Sequence, residues 1–255
     1  MRMLRGLTRS FTAQACVLRG QHLTPGQLRQ SQNWIGAAGS TITTATFVPP
    51  PPHEVPTLLG DVETFLHQQD DLPLLVKTGL AHAQFETIHP FLDGNGRIGR
   101  LLITFLLCER QALKKPVLYL SHYFKQHRQE YYDRLQAVRD EGDWEGWVSL
   151  FLQGVTEVSI EAAATAKRIL VLREDHRRQI NDRLGRMAGN GHRVLERLYE
   201  KPIVSVEDVR GITQTSVQAA NTAVQRLVDL GILKEMTGRA RHRRFLYAPY
   251  VDLFR

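Results

Sequence analysis

The sequence contains few cysteines and no long hydrophobic stretch. Cys16 and Cys108 are its two cysteines, and their wide separation fits neither a disulfide framework nor the spacing of zinc ligands. We therefore expect reduced thiols, as is typical of a cytoplasmic protein. No apolar run approaches the roughly 18 residues of a membrane-spanning helix, and none resembles the hydrophobic region of a secretory signal peptide. These absences favour a cytoplasmic globular protein without a membrane anchor.

Acidic residues are missing from the N-terminal part of the chain, where Glu54 is the first. Arginines at positions 2, 5 and 9 give this part a loose likeness to a transit peptide. Apolar residues recur there at helical spacing, however, which favours a basic helix over residues 3–20.

The positive charge is unevenly distributed. The formal net charge is +7, and residues 186–255 contain 12 Lys and Arg against 7 Asp and Glu. Most of the surplus therefore lies in the last quarter of the chain. Such a surplus indicates a nucleic-acid partner, although a solvated surface is the more common explanation of a charge run.

The most informative stretch is residues 89–100, which read HPFLDGNGRIGR and precede an apolar helical pattern. The N-terminus of a helix presents unpaired N–H groups and partial positive charge to an anion. Gly94 and Gly96 let the backbone approach that anion, and arginines can fork onto phosphate oxygens. A histidine can take up a proton near neutral pH. The stretch therefore predicts a phosphate site with an acid–base group beside it.

These residues resemble the signature of the Fic family, His-x-Phe-x-Asp/Glu-Gly-Asn-Gly-Arg-x-x-Arg, at every fixed position. The resemblance implies a protein adenylyltransferase. Such an enzyme cleaves ATP between the α- and β-phosphates and transfers AMP to a Ser, Thr or Tyr hydroxyl of a target protein. ATP as substrate and Mg²⁺ as cofactor are implied with it.

The resemblance also implies roles for individual residues. His89 corresponds to the catalytic base, and Asp93 to the Mg²⁺ ligand, for which the alternative is an N-cap carboxylate. Phe91 is expected to anchor the loop in the core. The residues that correspond to the nucleotide-binding turn and the phosphate-contacting arginines are Gly94, Asn95, Gly96, Arg97 and Arg100. Of these, Asn95 is expected to offer its side-chain amide, and Arg100 to hold the γ-phosphate.

Two further segments fit the resemblance by position. A β-hairpin is predicted over about 33–48, followed by the stiff proline run 49–52. It corresponds to the family's flap, which would dock a target strand, and the alternative is an ordinary surface hairpin. Its docking residues would be Trp34, Ile42, Thr43, Thr44 and Phe47. Tyr131 and Tyr132 lie where the family often has aromatic side chains near adenine, and the alternative for both is packing in the core.

The C-terminal residues predict a second domain. The glycine-bearing stretch 185–191 marks the boundary between a Fic domain over 1–184 and a domain over 192–255. The tail predicts three helices and a hairpin, with a capping box at Ser205, an N-cap at Thr213 and a helix end at Gly231. This order resembles a winged helix-turn-helix. Candidate DNA contacts are Gln214, Thr215, Gln218, Arg239, Arg241 and Arg243, and the alternative is a protein-docking or dimerisation module.

One family feature is missing. Many Fic proteins carry an inhibitory helix with the pattern Ser/Thr-x-x-x-Glu-Gly/Asn, and no stretch of this sequence matches it. Either the chain starts downstream of that helix or a separate antitoxin supplies the glutamate. In both cases we expect Arg100 to be free and the isolated chain to be active.

The sequence as a whole predicts a mainly α fold: a Fic-type helical bundle with a small β-hairpin flap, followed by a winged-helix domain. The alternatives to protein adenylylation are transfer of UMP or GMP, and a nucleotide-responsive DNA-binding regulator of transcription. The sequence leaves open whether the chain forms a homodimer. The identity of the target protein is not encoded in any pattern that we recognise.

Overall fold

The computed structural model describes residues 26–114, 118–239 and 242–254. These residues form mainly helices, and the chain divides into two compact units after Ile160. The basic helix predicted over 3–20 and Cys16 lie outside the described residues. None of the described helices is long and apolar enough to cross a membrane.

The first unit is helical, and its central element is the second helix. The helices are α1 (Val55–His67), α2 (Leu74–Ile88), α3 (Asn95–Glu109), α4 (Leu120–Gln126), α5 (Arg128–Glu141) and α6 (Trp144–Leu184), which continues past Ile160. Helix α2 is buried on several sides, with Ala83 in one apolar cluster and Phe85 and Ile88 in another. A helix that is surrounded in this way holds the residues at its end in a fixed place.

The second unit packs helices against a small antiparallel sheet. After a 3₁₀ turn at Gly185–Met187, its elements are α7 (Ala188–Glu200), β1 (Ile203–Ser205), α8 (Val206–Thr213), α9 (Val217–Asp229), β2 (Lys234–Glu235), β3 (Arg244–Leu246) and α10 (Ala248–Val251). The strand order is β1-β3-β2. Phe245 of β3 pairs with Val204 on one side and Glu235 on the other, and its ring is buried in the core.

The turn chemistry of the second unit follows the sequence with one exception. The capping box forms, with the Ser205 hydroxyl accepting from Asp208 N–H, and Gly231 adopts a φ of +70° just after α9. Thr213, however, does not cap α9. Its hydroxyl donates to Val209 O within α8, and Ser216 caps α9 by accepting from Ala219 N–H. The prediction at Thr213 was wrong because Thr hydroxyls readily bond a carbonyl one turn back.

The stretch 185–191, from which we predicted the domain boundary, is mostly helical. Only the 3₁₀ turn interrupts the helices, and α7 already includes Gly189 and Gly191. A Cβ at Gly191 would lie 2.8 Å from Leu184 Cδ2 and 2.9 Å from Ile180 Cγ2. This glycine therefore permits close packing rather than a break in the helix.

The predicted flap is smaller than a hairpin of two strands. Ile35 and Phe47 form a single antiparallel bridge, with N···O distances of 2.8 and 3.0 Å. Between them, Thr44 N–H donates to Thr41 O, and Trp34 Nε1 donates to Ser40 O. Because these local bonds satisfy the backbone in turns, the strands do not extend.

We predict that Gly191→Ala lowers the free energy of unfolding by about 1–3 kcal/mol, because the added methyl group overpacks the core. Urea unfolding followed by circular dichroism measures this. Gly189→Ala is the matched control, since it lies in the same helix, is exposed and has open space around its Cα. Equal stability of the two variants would contradict the packing role of Gly191.

Candidate active site

His89 lies at the C-terminus of α2 in an uncommon backbone conformation. The residue before a proline avoids the helical region, and His89 adopts φ 48° and ψ 60°. Its backbone N–H still donates to Phe85 O at 3.0 Å, which satisfies the last turn of α2. The chain therefore changes direction sharply at His89, and its imidazole is placed at the start of the signature loop.

The imidazole of His89 is neutral at pH 7. The pKa of His89 is lowered to about 4, chiefly by burial and also by the charges of Arg139 and Arg29, while a contact with Glu86 O opposes the shift. Nδ1 lies 3.4 Å from that carbonyl oxygen, which can only accept. Nδ1 therefore carries the proton, and Nε2 keeps a lone pair with which it can act as a base.

Arg29 holds the backbone around His89. The side chain is buried, and its Nε donates to His89 O at 3.0 Å. Its guanidinium also donates to Pro50 O, and its own N–H bonds Pro90 O at 2.9 Å. Sequence reasoning missed this residue because an isolated arginine in a polar stretch carries no distinguishing pattern.

The amide of Asn95 closes the signature loop. This side chain is buried; Oδ1 accepts from Phe91 N–H at 2.8 Å, and Nδ2 donates to Phe91 O at 2.7 Å. The expectation that this amide is offered to an anion is therefore wrong, because both of its functions are used within the loop. Phe91 is buried next to α3, as expected of an anchor.

The loop delivers the N-terminus of α3 to solvent with two arginines around it. Gly94 adopts φ +85° and accepts from the N–H groups of Arg97 and Ile98 at 3.1 and 3.0 Å. The N–H groups of the first helical residues, Asn95 and Gly96, have no acceptor within the helix, as at other helix N-termini. A Cβ at Gly96 would lie 3.1 Å from Arg100 Nη1, so Arg100 folds back across this turn.

Asp93 has the features of a ligand rather than of a helix cap. Gly94, not Asp93, is the N-cap of α3. One oxygen of Asp93 accepts from Gly94 N–H at 2.7 Å, and the other lies 3.4 Å from Arg97 Nη2 in a half-exposed ion pair. Mg²⁺ at phosphates takes one or two carboxylates plus phosphate oxygens, so a single accessible carboxylate next to an anion-binding turn fits this ion.

Arg139 of α5 connects the flap to the end of α2. Its Nη2 donates to Glu86 O and its Nε to Thr87 Oγ1, both at 3.3 Å. The guanidinium also lies 4.0 Å from the ring centroid of Phe47. Sequence reasoning gave no signal for this residue, because it lies far along the chain from residues 89–100 and belongs to no motif.

The other predicted flap residues are exposed. Trp34 and Ile42 have exposed fractions of 43% and 45%, and Thr43 and Thr44 are exposed with them. These residues belong to or directly precede the loop that is closed by the bridge between Ile35 and Phe47.

The two tyrosines occupy different environments. Tyr131 is buried, and its hydroxyl lies 2.9 Å from His82 Nε2, while His82 Nδ1 donates to Gly99 O at 2.9 Å. Tyr131 is thus part of the core behind α3, whereas Tyr132 is 48% exposed. Only Tyr132 of this pair presents an open ring.

The residues predicted to contact DNA belong to the second unit. Gln214 ends α8 with a φ of +55°, Thr215 bonds Thr213, and Gln218 is exposed on the first turn of α9. Arg239 is exposed, and Arg243 Nη2 lies 3.4 Å from Asn221 Oδ1. Arg241 lies outside the described residues.

Comparison with known proteins gives relatives for part of the chain. A probable protein adenylyltransferase of Aquifex aeolicus (strain VF5) is 42% identical over 69 residues, which are 27% of this chain and 22% of that protein. The protein adenylyltransferase Fic of Aedes aegypti is 37% identical over 145 residues, which are 55% of this chain and 26% of that protein. The chain therefore spans about a quarter of the length of these curated relatives.

A solved structure and a family profile agree with these relatives. The fold resembles that of a Fic family protein from Desulfovibrio desulfuricans G20, with a TM-score of 0.56 and 20% identity over 96% of this chain and 68% of that one. Residues 11–107 match the profile of the Fic/DOC family. This match includes α1, α2, the loop that holds His89 and α3 as far as Leu107, so the candidate site lies within the part of the chain that is similar to this family.

Proposed function

We propose that the chain is a protein adenylyltransferase, which transfers AMP from ATP to a Ser, Thr or Tyr hydroxyl of a target protein. The observation that carries this proposal is a neutral histidine at one end of the loop that leads to the N-terminus of α3, with Arg97 and Arg100 in the first two turns of that helix. The names of the two curated relatives support the same activity.

In the proposed reaction, His89 Nε2 accepts the proton of the target hydroxyl as the hydroxyl oxygen attacks the α-phosphorus. The bond between the α- and β-phosphates breaks, and pyrophosphate leaves with its electron pair. The N–H groups of Asn95 and Gly96 bind phosphate oxygens, and Arg97 and Arg100 stabilise the negative charge. Asp93 would hold a Mg²⁺ ion, which would neutralise part of the negative charge of the phosphates.

The exposed loop that contains Trp34 and Ile42 is the proposed docking surface for the target. Its exposed aromatic and aliphatic side chains suit an extended peptide. Because Arg139 contacts both Phe47 and the end of α2, a peptide on this loop would be held close to His89. Tyr132 is the proposed contact for the nucleotide base.

We predict that His89→Ala reduces the labelling of proteins by α-³²P-ATP by about 10²–10⁴-fold, the usual contribution of a general base. The assay uses the purified chain with Mg²⁺, alone and with cell lysate. His122→Ala is the control, since this histidine is exposed on α4. Equal labelling by α- and γ-labelled ATP would contradict AMP transfer, and preference for UTP or GTP would identify a different nucleotide.

We further propose that the second unit is a winged helix-turn-helix that binds DNA. The elements follow each other as α7, β1, α8, α9 and a wing of β2 and β3, which is the order of a winged helix. The first turn of α9 exposes Gln218. Amide and guanidinium groups read base edges and phosphates. A regulator of transcription is therefore the second candidate function.

We predict that the chain binds duplex DNA with an affinity that falls steeply with salt, and that Arg239→Ala reduces the salt slope by about 1. Fluorescence anisotropy at several salt concentrations measures this. Arg226→Ala, which removes an equal charge from the last turn of α9, is the control and should keep the slope. A chain that binds no DNA at low salt would exclude this function and leave a protein-docking module.

A further inference from the structure

Glu86 is a buried acid at the site to which no motif assigns a role. Its exposed fraction is 6%, and its Oε1 has no hydrogen-bond partner among the described residues. A buried carboxylate oxygen without a hydrogen-bond partner is costly, so its presence calls for an explanation other than packing.

The carboxyl group lies against the first two turns of α3. A Cβ at Gly99 would lie 2.3 Å from Glu86 Oε1, and a Cβ at Gly96 would lie 3.9 Å from the same atom. Arg100 Nη1 is 3.1 Å from that Gly96 position. An unpartnered carboxyl oxygen and the guanidinium of Arg100 therefore approach the same point on α3, where Gly96 and Gly99 leave space for them.

The two arginines near Glu86 differ in the contacts that their guanidinium groups make. Arg139 donates to Glu86 O and Thr87 Oγ1 and stacks on Phe47. Within the described parts of the chain, the guanidinium of Arg100 makes no hydrogen bond, and it lowers the pKa of Glu86 through its charge. Arg100 is thus the neighbour with donors available for the Glu86 carboxylate.

We propose that Glu86 is a positioning residue for Arg100: its carboxylate orients the guanidinium towards the terminal phosphate of the nucleotide. The proposal rests on the adenylyltransferase function proposed above, in which Arg100 contacts that phosphate. Glu86 touches neither nucleotide nor target and acts through Arg100.

We predict that Glu86→Gln weakens the preference for ATP over ADP by about tenfold, the value of one charge-assisted contact. Isothermal titration calorimetry with Mg²⁺ and each nucleotide measures the two dissociation constants without turnover. Affinity for ADP should stay the same, because ADP lacks the γ-phosphate. Glu109→Gln on the last turn of α3 is the matched control, since Glu109 pairs with Arg110 at 3.0 Å.

A double-mutant cycle separates positioning from a structural role. In the Arg100→Ala background, Glu86→Gln should leave both dissociation constants unchanged, because the residue through which it acts is gone. Glu86→Asp keeps the charge and should recover part of the preference for ATP. Equal circular dichroism spectra and melting temperatures of the variants test that each one is folded.

The pH dependence gives an independent readout. Burial raises the pKa of Glu86 to about 7, opposed by the charges of Arg100 and Arg139. Of the other titratable groups that face it, burial lowers the pKa of His82 and of His89 to about 4 and raises the pKa of Tyr131 well above its ordinary value. The wild-type preference for ATP should therefore increase with pH through about 7. The phosphates of the nucleotide titrate in the same way with wild type and with Glu86→Gln. The difference in pH dependence between the two proteins therefore reports the titration of Glu86.

The outcomes distinguish this proposal from the function on which it rests. The expected result is that Glu86→Gln weakens the preference for ATP in the wild-type background and has no effect in the Arg100→Ala background. An unchanged preference in Glu86→Gln, or the same loss in both backgrounds, would overturn the role of Glu86 while leaving the enzyme intact. Failure of the wild-type chain to bind either nucleotide would instead contradict the adenylyltransferase function.

Discussion

The hydrogen bonds between the buried Asn95 amide and the backbone of Phe91 hold the whole site together. They close the five-residue segment from Phe91 to Asn95 at the start of α3, with distances of 2.8 and 2.7 Å. Because α2 is packed in the core and ends at His89, this closure fixes the position of the imidazole relative to the N-terminus of α3. A side chain that could be taken for a ligand thus serves as the structural clamp on which the ligand site depends.

Burial sets the charge states around this clamp, and it acts in opposite directions on the two groups that matter. It lowers the pKa of His89 to about 4 and raises the pKa of Glu86 to about 7. The histidine is therefore a neutral proton acceptor at physiological pH, while the arginines keep their positive charge for phosphate. Three arginines that lie apart in sequence surround these groups. Arg29 and Arg139 hold the backbone of α2 and its end, and Arg100 folds back over the first turn of α3.

The sequence predicts those parts of the protein that depend on local chemistry. The glycines and arginines of residues 89–100, the Ser205 capping box and the helix end at Gly231 are local, and the structure forms each of them. Arg29, Glu86 and Arg139 were missed because their partners are distant in the chain and tertiary packing alone brings them to His89. The glycines of 185–191 were used only to predict a boundary, and the packing contact of Gly191 with Ile180 and Leu184 was not predicted because it too depends on tertiary structure.

The central claim is that His89 is a neutral base with a proton on Nδ1, and ¹⁵N NMR of the histidine side chains tests it most directly. The spectrum of His89→Ala assigns the signals, and a pH titration follows them. The account predicts an Nδ1–H imidazole that stays neutral until the pH falls to about 4. A midpoint near the ordinary value of 6.5, or a proton on Nε2 at neutral pH, would contradict it.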